Sequence, residues 1–163
     1  MTFDELNRLD DGRASAEFLR CCGSTRWAAA MAAARPFEDA DAMRARGDEI
    51  WRSLARSDWC EAFAAHPKIG ERRTASAWSV AEQAGMQSAD DDTRARLERL
   101  NADYEQRFGF IYIVCATGKA PGEMLGLLEK RLTNRLETEL PLAAEEQRKI
   151  TALRLAKLVD QRT

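Results

Sequence analysis

The stretch 97-LERLNADYEQRFGFIYIVCA-116 decides the fold class of this chain. Its first half sets Leu97, Leu100, Tyr104 and Phe108 at spacings of three, four and four, the stripe of an amphipathic helix. Its second half, Phe108 to Ala116, is a nearly continuous apolar run rich in β-branched and aromatic residues. Local pattern reads that run as a buried strand, but periodicity does not separate a buried strand from a buried helix. A lone strand would have no partner in a chain that is helical elsewhere, so the run is expected to be helical. On that expectation the chain is all-α.

Working outward, the helical pattern holds. Proline and glycine are sparse, four and nine in 163 residues. Upstream, Asp4 to Leu9 reads as a short helix, followed by helices over Ala16 to Cys22 and Ser24 to Ala34, the latter capped by Ser24 or Thr25. Arg35-Pro36-Phe37 breaks that run, because proline cannot donate the backbone bond and restrains the residue before it. Asp39 or Asp41 caps the next helix, which reaches Arg56, and Asp58 to Ala65 forms a short one ended at His66 by Pro67. Lys68 to Ala77 is polar and reads as a loop, Ser79 restarts a helix, and Ser88 to Asp92 is a second loop with a cap. Downstream, Pro121 suits a first helical turn. Leu125, Leu128, Leu132, Leu136 and Leu140 then repeat every three or four residues, and Pro141 separates that helix from a last one over about Ala143 to Asp160. The expectation is one domain over residues 1–163, built of seven to nine helices.

Composition removes several functions. A formal charge of −2 argues against broad electrostatic binding to nucleic acid or anionic lipid. No run approaches the roughly 18 apolar residues of a membrane span, and the acidic, polar N-terminus is no signal peptide. A cytoplasmic location is expected. The four cysteines, Cys21, Cys22, Cys60 and Cys115, form no C-x-x-C pair, and there is one histidine, so no metal site is expected. Reduced, mostly buried thiols fit that pattern.

Three places carry chemistry. His66 precedes Pro67, which drives it out of helical geometry. Its imidazole therefore stands at a helix C-terminus, where the dipole favours the imidazolium of a group that ordinarily titrates near pH about 6.5. It suits a general acid or a donor to a substrate oxygen; a solvent-facing histidine satisfies the same residues. Ser79-Val80-Ala81-Glu82 is a capping box whose exposed N–H groups also suit an anionic ligand, with the Gln83 amide beside it for ureido or imide groups. Arg154 falls between Ile150 and Leu158 on the apolar arc of the last helix, so its charge needs a carboxylate, a route to water, or an anionic ligand. Arg131 and Arg135 read as a solvated charged face.

Taken in order, LNRLD near the start, RPF at 35–37, AHPKIGE at 65–71, WSVAEQAG at 78–85, LNADYEQRFGFIYIVCATGK at 100–119, EKRLTNRLETEL at 129–140 and KITALRLAKLV at 149–159 are specific. Nearly the whole chain resembles the 2-oxo-4-hydroxy-4-carboxy-5-ureidoimidazoline (OHCU) decarboxylases of the urate-to-allantoin route in purine metabolism. Ile111 stands where many relatives carry proline. The resemblance implies an all-α fold, a lyase that needs no cofactor, OHCU as substrate and a homodimer. It also implies a pocket lined by His66, Pro67, Ser79, Glu82, Gln83 and Arg154, with backbone from Ile113, Val114, Cys115 and Ala116. His66 and Glu82 are the expected catalytic pair. The rival readings are a helical interaction module with no turnover and a hydrolase of a related ureido compound.

Overall fold

The computed structural model describes residues 1–69 and 84–159. Among the described residues there are eight α-helices and no strand: α1 Phe3–Arg8, α2 Asp11–Cys21, α3 Thr25–Ala33, α4 Ala40–Ser53, α5 Arg56–Ala64, α6 Asp91–Phe108, α7 Pro121–Leu132 and α8 Leu136–Val159. A 3-10 helix, Ala84–Ser88, precedes α6. The fold is all-α, as expected. The chain divides into two compact units, Met1–Ala62 with Arg148–Thr163, and Phe63–Gln147.

In the first unit short polar side chains start the helices. Thr2 and Glu5 form a capping box on α1, and Asp10, Ser24 and Asp39 accept from the N–H of Arg13, Trp27 and Ala42. Each closes a donor that a helix start leaves unpaired. Capped by Asp10, α2 starts at Asp11, five residues before Ala16, and α4 stops at Ser53 because Leu54 turns extended before α5. Phe18 meets Trp27 and Phe37 edge-on at 6.2 and 6.1 Å in the core between α2 and α3. Gly47 lets α4 approach: a Cβ there would lie 3.2 Å from the Trp27 ring, whose Nε1 donates to the Gly47 carbonyl at 3.0 Å. Arg35 explains the RPF motif. Its guanidinium donates to the carbonyls of Leu6, Leu9 and Ala32 and pairs with Asp11, gathering the end of α1, the start of α2 and the end of α3.

In the second unit Leu97, Tyr104 and Phe108 are buried along α6 as their spacing predicts, Leu100 of the same stripe is half-buried, and buried Asn101 donates to the Ile69 carbonyl at 3.0 Å. α6 ends on Gly109 in the left-handed region, φ +80, its N–H returning to Glu105. The helix expected over 108–116 is therefore absent: residues 111–116 leave α6 in neither helix nor strand. Side chains replace a sheet ladder. Arg131 Nη1 donates to the Ile113 carbonyl at 2.5 Å, Glu146 accepts the Cys115 N–H at 2.7 Å, and Lys119 Nζ donates to the Cys115 carbonyl at 2.8 Å.

Two further expectations are overturned here. Arg131 is not solvated. It is buried, bonded through Nε to the fully buried Glu139 at 2.6 Å and through Nη2 to the Tyr104 hydroxyl, while Arg135 is exposed. The buried line of α7 is Met124, Leu128 and Arg131, so the leucine repeat is only partly a core stripe. The break also falls elsewhere: α7 ends at Leu132, and α8 runs through Pro141. Thr133 and Asn134 close α7 by donating to the Lys130 and Arg131 carbonyls. Pro141 sits in the second turn of α8 on an exposed face, where water can serve the carbonyl that its missing N–H leaves.

Candidate functional site

α5 delivers His66. The helix ends at Ala64, the His66 N–H closes on the Phe63 carbonyl at 3.1 Å, and Pro67 forbids another turn. The imidazole thus stands just past a helix C-terminus, as its sequence context predicts. His66 and Pro67 are half-buried. His66 Nε2 lies 2.7 Å from Oε1 of Gln147, which is fully buried on α8.

The next residue back along α8, Glu146, takes the Cys115 N–H. Consecutive positions on one helix thus hold the histidine and the irregular segment of the same unit. Ile113, Val114, Cys115 and Ala116 are all buried. The carbonyls of Ile113, Cys115 and Ala116 and the Cys115 N–H are engaged. The N–H groups of Ile113, Val114 and Ala116, and the Val114 carbonyl, have no protein partner among the described residues. Buried peptide groups are rarely left so. A planar ligand with alternating carbonyl and N–H groups matches that pattern.

Arg154 lies in the other unit, buried between Ile150 and Leu158 on α8 as predicted. Its Nη1 approaches the Arg20 carbonyl at 3.5 Å. Near it, burial pushes the Cys21 thiol up to about 12 and the Cys22 thiol up to about 11, although the Arg154 charge pulls both down. All four cysteines are free thiols. Ser79, Glu82 and Gln83 lie outside the described residues. Among the described residues no three His, Cys, Asp or Glu side chains gather to hold a metal ion, and no helix is long and apolar enough to cross a membrane.

Gln147 and Glu146 are absent from the sequence-derived site, yet a signal for Gln147 was present. Glu139, Ala143, Gln147, Ile150, Arg154 and Leu158 are spaced by three or four and all are buried. Gln147 breaks that arc just as Arg154 does. Glu146 left no such trace, because its partner is a distant backbone N–H; Arg131 does fall three residues after buried Leu128, but its partners Tyr104, Ile113 and Glu139 lie on other elements.

Among the described residues the chain is thus all-helical, with a helix-end imidazole bonded to a buried glutamine and, one position back on the same helix, a carboxylate bonded to the buried 113–116 segment. Comparison with known proteins narrows the class to the carboxy-lyases. The family model described as OHCU decarboxylase matches residues 7–156. The 2-oxo-4-hydroxy-4-carboxy-5-ureidoimidazoline decarboxylase of Haloferax volcanii is 32% identical over 162 residues, covering 96% of this chain and 95% of that protein. The uric acid degradation bifunctional protein TTL of Arabidopsis thaliana is 38% identical over 149 residues, and the match spans 87% of this chain but 46% of that protein. A crystal structure of OHCU decarboxylase in the presence of (S)-allantoin superposes with a TM-score of 0.80 at 37% identity, over 94% of this chain and 100% of that one. The chain belongs to the OHCU decarboxylase family.

Proposed function

We propose that this protein decarboxylates OHCU to (S)-allantoin and CO₂ in urate degradation, as a single domain over residues 1–163. The observation that carries the reading is the match, at 37% identity and over the full length of that chain, to an OHCU decarboxylase crystallised in the presence of (S)-allantoin. The second activity of the bifunctional relatives is not carried over, since the match spans 46% of the Arabidopsis protein.

The substrate's own connectivity sets the task. The departing carboxylate sits on a hydroxyl-bearing carbon next to the ring C=N, so the electron pair released with CO₂ can delocalise into the amidine. The ureido-bearing carbon must then take a proton on one face, which fixes the configuration. In our assignment His66 and Glu82 are the acid-base pair at the reacting carbon. Pro67 holds the imidazole clear of the helix. Ser79 and Gln83, with the peptide groups of Ile113, Val114, Cys115 and Ala116, meet the ring and ureido groups. Arg154 grips a carboxylate or carbonyl by two donors. The unpartnered N–H groups at 113, 114 and 116 support the backbone part of this assignment.

The reaction is assigned without metal or organic cofactor, so dialysis against a strong chelator leaves turnover unchanged. The reading also takes the enzyme as a cytoplasmic homodimer; a single 18.3 kDa species in sedimentation would remove the dimer. The decisive assay generates OHCU from urate in the presence of the protein and follows circular dichroism. (S)-Allantoin should appear faster than the spontaneous racemate. Racemic product at the uncatalysed rate sinks the proposal.

A further inference from the structure

His66 is the only histidine in the chain, and its Nε2 stands 2.7 Å from Gln147 Oε1. An amide oxygen accepts and does not donate. The contact therefore fixes the proton of the neutral imidazole on Nε2 and its lone pair on Nδ1; the imidazolium keeps the same bond and carries its second proton on Nδ1. Gln147 is fully buried on α8, between Ala143 and Ile150 along the buried arc, and the adjacent Glu146 is held by the Cys115 N–H. A buried side chain in a long helix has few alternative rotamers, so the acceptor is preorganised.

We propose that Gln147 is a positioning residue for the decarboxylation: by accepting the hydrogen bond of the His66 Nε2–H it makes Nδ1 the nitrogen that exchanges a proton with the substrate. The inference rests on the reading of His66 as the acid-base group. In the step it implies, CO₂ leaves the hydroxyl-bearing carbon and the bonding pair moves toward the neighbouring C=N. The imidazolium gives its Nδ1 proton to the ureido-bearing carbon. The hydroxyl proton passes to the ring nitrogen, and the oxygen becomes the carbonyl of allantoin. His66 is left neutral with Nε2–H still on Gln147, and water returns the Nδ1 proton.

A lone histidine makes the test direct. With the full chain labelled with ¹⁵N only at histidine, long-range ¹H–¹⁵N correlation shows one imidazole, and nitrogen shifts identify the tautomer. Neutral wild-type protein should show a protonated Nε2 and an unprotonated Nδ1. Gln147→Leu should lose that single tautomer and lower kcat roughly tenfold, the scale of one displaced hydrogen bond, with KM little changed. Gln147→Glu, which still accepts from Nε2, should keep the tautomer. A proton found on Nδ1 in the wild type overturns the inference without any variant having to fold, as does a Gln147→Leu protein with unchanged tautomer and kcat. Failure of the parent reading looks different: His66→Asn would then retain turnover whatever the tautomer.

Discussion

Arg131 can lie in the interior only because Glu139, fully buried, faces its guanidinium at 2.5 Å and the Tyr104 and Tyr112 rings flank it. Removing one member of such a pair strands the other charge, which typically costs about 3–5 kcal/mol, whereas replacing both with apolar groups costs far less. Arg131→Met should therefore lower unfolding free energy by about 3–5 kcal/mol in urea titrations, and adding Glu139→Met should recover much of the loss. Equal, additive losses would mean that the two charges do not stabilise one another. Arg154 is predicted to behave oppositely. If substrate is the principal partner of its charge, Arg154→Ala keeps nearly the wild-type melting temperature and loses roughly 2–5 kcal/mol in kcat/KM. Arg154→Lys, which restores charge but not the two-donor fork, should recover part of it. A destabilised Arg154→Ala protein with normal turnover of its folded fraction would take Arg154 out of the site.

At the scale of elements, the end of α6 sets where the buried 111–116 segment begins. Gly109 holds φ +80, a conformation that costs an L side chain about 1 kcal/mol, and open space surrounds the position where a Cβ would sit. Gly109→Ala should thus destabilise by about 1 kcal/mol through backbone strain alone, with no steric clash added. Thermal unfolding checks this; a loss above about 3 kcal/mol would show that the turn moves and drags the segment with it. Gly85 is constrained differently. A Cβ there would meet the Lys119 carbonyl oxygen at 2.8 Å, so the glycine that ends WSVAEQAG lets the 3-10 helix approach the turn before α7.

Over the whole molecule, several buried acids ionise later in the folded state than in the unfolded one. Burial raises Cys21 to about 12 and Cys22 to about 11, and raises the Tyr104 and Tyr112 hydroxyls above their ordinary range. The unfolded chain ionises its thiols near about 8.5. Below that pH both states hold the proton and the thiol contribution to stability is complete. Above it the unfolded state releases protons first, so stability falls until the folded pKa values are passed. The melting temperature should drop between pH 9 and pH 11, and replacing Cys21 and Cys22 together by alanine should flatten that slope. At pH 8 the buried pair should also resist iodoacetamide while half-buried Cys60 reacts, because the thiolate is the nucleophile.

What the sequence determined by itself is whatever depends on neighbours along the chain. Caps at Ser24 and Asp39, the α6 stripe, the stop at His66-Pro67 and the buried place of Arg154 follow from spacing and backbone sterics within one or two turns. The motifs in order were enough to indicate the family. Tertiary structure decided what depends on partners remote in sequence. Residues 111–116 are irregular, with Arg131, Glu146 and Lys119 bonding the Ile113 carbonyl, the Cys115 N–H and the Cys115 carbonyl in place of a helix or a sheet. Arg131 is buried because Glu139 waits eight residues on, across a turn that ends α7 before Pro141. Gln147 meets His66 across 81 residues of chain, a contact that no local pattern encodes. Local sterics and periodicity act over a few residues, whereas a hydrogen bond between distant segments exists only once the core has brought them together.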